Sequence, residues 1–194
     1  MIKLKYRPEI DALRAIAVIA VIIYHAKIYF LEKLVFPGGF LGVDIFFVIS
    51  GYLISSLIFR ELKTNNNFSF KNFYEKRARR ILPALLVVIL FSIPFAWNFL
   101  LPSSLVSYAE SILTTIGFGS NIYFYLSGQV YGAESGLLKP LLHTWSLSIE
   151  EQFYIIFPLL VFVIYNYFRK YLILIIFGIA VSSLIFSEYL SNIN

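Results

Sequence analysis

The stretch FLGVDIFFVISGYLISSLIF, residues 40–59, decides the fold. It holds one charged side chain, Asp44, in a run long enough to cross a hydrocarbon core, which takes roughly 20 mostly apolar residues as a helix. Outward from it, residues 10–31, 81–101 and 149–168 read the same way, and residues 171–190 form a further candidate. Residues 103–126 are mixed: Ser103, Ser104, Ser107, Glu110, Ser111, Thr114, Thr115, Ser120 and Asn121 dilute the Leu, Ile and Phe, so the segment could span, re-enter or lie at the interface. The expectation is an all-α, polytopic transmembrane helical bundle of five or six spans, with five and a polar outer excursion preferred.

Composition agrees. Of 194 residues, 59% are hydrophobic and 14% charged, and the mean hydropathy is +0.79, which leaves too little polar surface to cover a water-soluble globule. The net charge of +5 in a soluble protein would hint at nucleic acid, but the basic residues here lie between apolar runs and read as topology signals. The chain has no Cys, which excludes a disulfide, a thiolate nucleophile and a thiolate metal site. Lys3, Lys5 and Arg7 ahead of an apolar run resemble a secretory signal, yet Ala15 and Ala17 fall at the start of that run and no cleavage site follows it. The expectation is an uncleaved first helix.

Short cytoplasmic flanks are enriched in Lys and Arg. Lys3, Lys5, Arg7 and Arg14 precede or open the first span, and Arg60, Lys63, Lys71, Lys76, Arg77, Arg79 and Arg80 lie between the second and third. Both regions are expected inside a cytoplasmic membrane, with the N-terminus cytoplasmic. Lys27, Lys33 and Lys139 fall outside. Residues 63–68, KTNNNF, read as a solvated turn, and no second domain, repeat or long linker stands out.

Ionisable side chains within spanning helices are costly and mark functional candidates. Arg14 and His25 are eleven residues apart, which on a helix returns to within about 20° of the same face with an axial separation of roughly 16 Å. Snorkelling of Arg14 and capping by His25 would explain them equally well. Asp44 needs a cationic or hydrogen-bonding partner, and His25, Lys27 or Arg14 could supply it. Gly38, Gly39 and Gly42 before and beside it permit a tight turn or close helix approach. Arg77 and Arg80, three apart in FYEKRARRILPAL, share a helix face suited to bidentate phosphate contacts, although a plain topology signal explains them too. The segment PLLHTWSLSIEEQFYIIFPLL, residues 140–160, puts His143, Trp145, Ser146, Glu150 and Glu151 at the start of a spanning helix. Ser148 with Glu151 fits a capping box; Glu150 and His143 are not so explained and, with His25, are acid-base candidates.

Together these segments resemble the acyltransferase 3 family of membrane proteins, which O-acylate surface polysaccharides, peptidoglycan, lipids and small molecules. The resemblance is carried by the Arg14 to His25 spacing within YRPEIDALRAIAVIAVIIYHA, by GGFLGVDIFFVISGYLI, by the Arg77 to Arg80 cluster before ILPAL, and by LLHTWSLSIEEQFY, in the family's order over nearly all of residues 7–158. It implies an acyltransferase transmembrane domain over residues 7–190. It also implies that His25 is essential to acyl transfer, that Arg14 lies in the same passage, and that Arg77 and Arg80 hold the phosphates of an acyl-CoA donor.

The expected reaction moves a short acyl group, on family grounds acetyl, from acyl-CoA to a hydroxyl of a carbohydrate or cell-envelope acceptor. His25 would serve as general base or transient acyl carrier, Arg14 would stabilise negative charge, and Asp44 or Glu150 would orient an imidazole. His143, Trp145 and Ser146 are candidates for binding the acceptor. No bound cofactor and no metal are expected. The family builds its cavity from about ten spans, and polar faces left to lipid cost several kcal/mol per group, so low activity is expected of this chain by itself. The rival readings are a transporter-like protein with a polar permeation path lined by Arg14, His25 and Asp44, and an inactive fragment of the enzyme.

Because the chain has no Cys, single-Cys variants are clean topology probes. A cysteine at Asn66 should resist an impermeant thiol reagent added to intact cells, whereas one at Lys139 should react; labelling at Asn66 from outside would overturn the assignment.

Overall fold

Pro8 opens the first helix because its fixed φ suits the first helical turn and its missing N–H would have no partner there. The computed structural model describes residues 7–31, 33–129 and 135–192; Lys3 and Lys5 lie outside the described residues. Helix α1 (Pro8–His25) carries Glu9 and Asp11 in its first turn, where the helix dipole favours negative charge. It ends at His25 rather than running to residue 31. Lys27 takes a left-handed φ of 47°, and a short antiparallel hairpin of β1 (Tyr29–Phe30) and β2 (Lys33–Leu34) follows.

Helix α2 (Leu41–Asn65) runs antiparallel beside α1. Arg7 reaches Tyr52 at 2.5 Å near one end of the pair, and Gly39 and Gly42 sit against the backbone of Ala20 and Ala17 near the other. A Cβ on Gly39 would collide with the Ala20 carbonyl and one on Gly42 would lie 2.5 Å from the Ala17 carbonyl, so glycine there serves close approach of two helices. Gly38 is not crowded in this way; the nearest atom to a Cβ there would be a Leu41 methyl at 3.9 Å.

Asn66 stops α2 in the left-handed region at φ 49°, a conformation Asn tolerates, and its N–H closes on the Leu62 carbonyl. The expected solvated turn is only partly solvated, because Phe68 is buried against Phe70 and Phe73. Helix α3 (Phe70–Phe99) therefore starts about three turns before the apolar run that signals it, and Arg77, Arg79 and Arg80 lie on the helix itself.

The ambiguous segment becomes two helices, α4 (Pro102–Ile116) and α5 (Ser120–Gly128), joined at residues 117–119, where Phe118 adopts φ 54°. They form an antiparallel hairpin in which the Tyr123 hydroxyl lies 3.0 Å from two acceptors on α4, the Ser107 carbonyl and the Glu110 carboxylate. Leu85, Ile89 and Ala96 of α3, Tyr108 of α4, Phe124 of α5 and Leu141 make the apolar core of this region. Three of the polar residues that blurred the sequence pattern, Thr115, Ser120 and Asn121, are satisfied by the next helix, α6 (Thr144–Tyr167), while Ser111 and Thr114 bond carbonyls of α4 itself. Thr115 pairs with Thr144 at 3.0 Å, Ser120 with Ser148 at 2.7 Å, and Gln152 donates to the Phe118 carbonyl at 2.8 Å. Ser148 is thus no capping-box residue: α6 starts at Thr144, and the Ser148 hydroxyl serves Ser120.

The rings of His25, at the end of α1, and His143, just before α6, lie 4.5 Å apart. Both helix ends are therefore at one membrane face, which requires an even number of crossings between them. Helices α2 and α3 supply two, so the α4–α5 hairpin enters and leaves on the same side.

The chain divides into two compact units, Met1–Tyr154 and Ile155–Asn194, with the boundary inside α6. In the second, a 3-10 turn (Arg169–Tyr171) leads into α7 (Leu172–Ser191), and Arg169 lies 4.6 Å over the Tyr165 ring. Among the described residues, four helical segments are long and apolar enough to cross a membrane: α2, α3, α6 and the segment Arg169–Ser191 that contains α7. Helix α1 is 18 residues long and carries Glu9, Asp11 and Arg14, so it joins the bundle as the antiparallel partner of α2 rather than by apolar length alone. Large apolar side chains such as Val48, Phe91, Ile173 and Leu184 are exposed, as on the lipid-facing surface of a membrane helix.

Gly42→Ala should lower the melting temperature of the detergent-solubilised protein, since overpacking of this kind costs about 1–3 kcal/mol. Gly51→Ala, which meets nothing within 4 Å, should leave it unchanged or raise it.

Candidate functional site: an imidazole pair in an open cleft

The close approach at Gly39 and Gly42 brings the first turn of α2 against the last turns of α1, so that Asp44 and His25 line the same space. The cleft measures about 540 Å³ and is completed by Leu142, His143, Trp145 and Ser146 from the start of α6. His25 and His143 meet edge to face, their planes 72° apart. Tyr24 packs edge-on against both His25 and Phe40, and Trp145 against Phe47, which walls the cleft with aromatic faces. His143 is fixed by the tight turn that starts α6: Thr144 N–H bonds the Leu141 carbonyl at 2.9 Å, and the Ser146 hydroxyl donates to the His143 carbonyl.

Desolvation against the cleft wall, and secondly the neighbouring His25, hold the His143 pKa below its ordinary value of 6.5. Asp44 makes no hydrogen bond or ion pair among the described residues and presents a carboxylate to the same space as the two imidazoles. Two imidazoles and a carboxylate in one aromatic-walled cleft can accept, hold and return a proton.

The remaining sequence candidates lie elsewhere. Arg14 faces Asp11 at 3.5 Å, and the cleft lining does not include it. Glu150 meets neither imidazole: it accepts hydrogen bonds from the Ser50 hydroxyl of α2 and the Tyr154 hydroxyl one turn along α6. Arg77 of α3 lies over the Tyr154 ring at 4.0 Å and beside Phe73 at 5.9 Å, half-buried, whereas Arg79 pairs with Glu75 at 2.8 Å and Arg80 is exposed. Glu151 is buried near Arg77, with one carboxylate oxygen lacking a hydrogen-bond partner among the described residues. Sequence reasoning passed over Tyr154 and Ser50. The four-residue step from Glu150 to Tyr154, which puts both on one helix face, is a signal for the first; nothing local signals Ser50, one hundred residues away.

A helical bundle with exposed apolar surfaces, an imidazole-lined cleft and a half-buried guanidinium farther along defines a multi-pass membrane protein. The chain belongs to the acyltransferase-domain family, whose profile matches residues 7–193. It is 41% identical over 194 residues to a Staphylococcus aureus (strain MSSA476) protein provisionally named an O-acetyltransferase, covering 99% of this chain and 31% of that one. It is 39% identical to the peptidoglycan O-acetyltransferase OatA of Listeria monocytogenes, covering 96% and 29%, and 38% identical to the O-acetyltransferase OatA of S. aureus (strain NCTC 8325 / PS 47), covering 93% and 29%. The chain thus spans less than a third of the length of these relatives. No solved structure matches it.

The chain has only two histidines, so each titration can be followed by NMR of ring-labelled protein. A folded pKa below the unfolded one means that the unfolded state binds more protons in the window beneath 6.5, so acidification through that window removes stability that is present above it. His143→Gln should weaken this acid sensitivity. In His25→Gln the His143 pKa should rise only part of the way to 6.5, because desolvation, the larger cause, remains.

Proposed function

We propose that the protein transfers a short acyl group, acetyl by analogy with its relatives, from acyl-CoA to a hydroxyl of a carbohydrate or cell-envelope acceptor. The observation that carries this is the pairing of His25 with His143 beside Asp44 in an open, aromatic-walled cleft, in a chain of the acyltransferase family. His25 takes the acceptor's hydroxyl proton as the oxygen attacks the thioester carbonyl. The C–O ester bond forms, the C–S bond breaks, and the proton passes to the CoA sulfur. If His25 instead carries the acyl group, an acyl-imidazole precedes the ester. Asp44 favours the imidazolium that forms, and the faces of Tyr24, Phe40 and Trp145 offer apolar surface to a sugar ring.

The donor enters from the opposite, cytoplasmic face, where the N-terminus also lies, and Arg77 holds its phosphates. Tyr154, the residue under Arg77, lies eleven residues beyond His143, so the two ends of the passage are separated by roughly 16 Å along α6, a distance within the reach of an extended pantetheine arm. Arg14 contributes positive charge along the same passage. Its partial exposure and its distance from the imidazoles suit binding better than proton transfer.

In the full-length protein, His25→Ala should abolish acyl transfer while leaving donor binding intact, and Arg14→Lys should retain more activity than Arg14→Ala. Arg77→Gln should raise the KM for acyl-CoA about tenfold or more and that for the acceptor little, given about 1.5–3 kcal/mol per charged hydrogen bond; Arg80→Gln should do less. The assay is transfer of label from radiolabelled acetyl-CoA to glycan acceptors. Wild-type rates in an inserted His25→Ala protein would refute the mechanism, and transport without a covalent product would replace it.

A further inference from the structure

Arg77 differs from the basic residues around it in what holds it. No hydrogen bond or ion pair joins its guanidinium to another described residue; its Cζ lies 4.0 Å from the centre of the Tyr154 ring and 5.9 Å from that of Phe73. Stacking occupies the face of a guanidinium and leaves its in-plane N–H donors free, and those are the groups that grip a phosphate. The ring beneath it is itself held. Tyr154 is 2% exposed, and its hydroxyl donates to Glu150, which also accepts from Ser50, a residue 8% exposed on α2. Three helices thus meet in one relay: Ser50 of α2 and Tyr154 of α6 share Glu150, and the Tyr154 face carries Arg77 of α3.

We propose that Ser50, Glu150 and Tyr154 are positioning residues that hold Arg77 edge-on to the phosphates of the acyl-CoA donor, which makes Glu150 part of donor binding and removes it from the imidazole chemistry. This rests on the reading of Arg77 as a phosphate ligand. Arginine orientation is set here by an aromatic face rather than by a carboxylate. A carboxylate hydrogen-bonded to the guanidinium would compete with phosphate for the same N–H groups, whereas Tyr154 does not. Glu150 forms no hydrogen bond or ion pair with Arg77, one of its oxygens accepting from the two hydroxyls, and Glu151 lies near Arg77 without a hydrogen bond to it.

The test is competition binding to the detergent-solubilised full-length protein with two ligands, acetyl-CoA and acetyl-pantetheine, which lacks the phosphates Arg77 would hold. Tyr154→Leu removes the platform and should weaken acetyl-CoA binding about 5- to 10-fold while leaving acetyl-pantetheine unchanged. Adding Arg77→Gln to it should weaken binding little beyond Arg77→Gln alone, because both act through one guanidinium. Tyr154→Phe, which keeps the ring, should lose less than Tyr154→Leu and provides the folded variant if the leucine form does not insert. Ser50→Ala should resemble Tyr154→Phe. Wild-type acetyl-CoA affinity in Tyr154→Leu with Arg77→Gln impaired would overturn the platform and leave the donor site standing. Unimpaired Arg77→Gln would overturn both. Equal weakening of the two ligands would reduce Tyr154 to a structural role and also overturn the platform.

Discussion

The backbone-to-backbone approach of α1 and α2 at Gly39 and Gly42 is the constraint on which the rest depends. In lipid there is little hydrophobic force between helices, so association rests on close van der Waals packing and on hydrogen bonds that lipid cannot supply. With hydrogen as the side chain, the Ala17 and Ala20 carbonyls pack directly against α2. That contact sets the antiparallel pairing, turns His25 and Asp44 toward the same space, and closes the helix pair at its other end through Arg7 and Tyr52.

The second constraint is polar. An unsatisfied hydroxyl or amide in a low-dielectric interior is expensive, and the α4–α5 hairpin carries several. They are discharged onto the first turns of α6 through Thr144, Ser148 and Gln152. Because such bonds are directional, they hold α6 in register as well as in place. His143, immediately before that helix, is thereby held against His25. A site formed at the ends of two helices that are distant in sequence thus gains its geometry from hydrogen bonds several residues away from it.

Much of this is legible in the sequence, and the failures share a physical cause. The apolar runs locate α2, α3, α6 and α7, and the Arg14 to His25 spacing places its two residues correctly along one helix. Hydropathy reports where lipid is, not where a helix ends, so it misses the three polar turns at the start of α3 and extends α1 into the hairpin after His25. The same blindness makes residues 103–126 ambiguous: their hydroxyls look like solvent exposure, but those of Ser111, Thr115 and Ser120 are buried and paired. His25, Asp44, His143, Trp145 and Ser146 do share a cleft, while Glu150, grouped with them by sequence proximity, is claimed by Ser50 and Tyr154. No periodicity reveals a partner one hundred residues away.

Under the proposed function two kinds of electrostatics are kept apart in this fold, and their separation follows from what each would have to do. An imidazole that exchanges protons near neutrality needs access to water or a hydroxyl and must not be held permanently charged by a tight ion pair. Both histidines accordingly sit on an open cleft, with Asp44 lining the same cleft but making no ion pair among the described residues. A guanidinium that recognises a dianionic group needs the opposite, a fixed charge with oriented donors and no competing carboxylate bond. For the role proposed for Arg77, the Tyr154 and Phe73 rings supply that position without a carboxylate bond. Placing the guanidinium beside the histidines would have depressed their proton affinity by direct charge repulsion and impaired the base. The eleven residues from His143 to Tyr154 along α6 keep the Arg77 charge away from the imidazole pair.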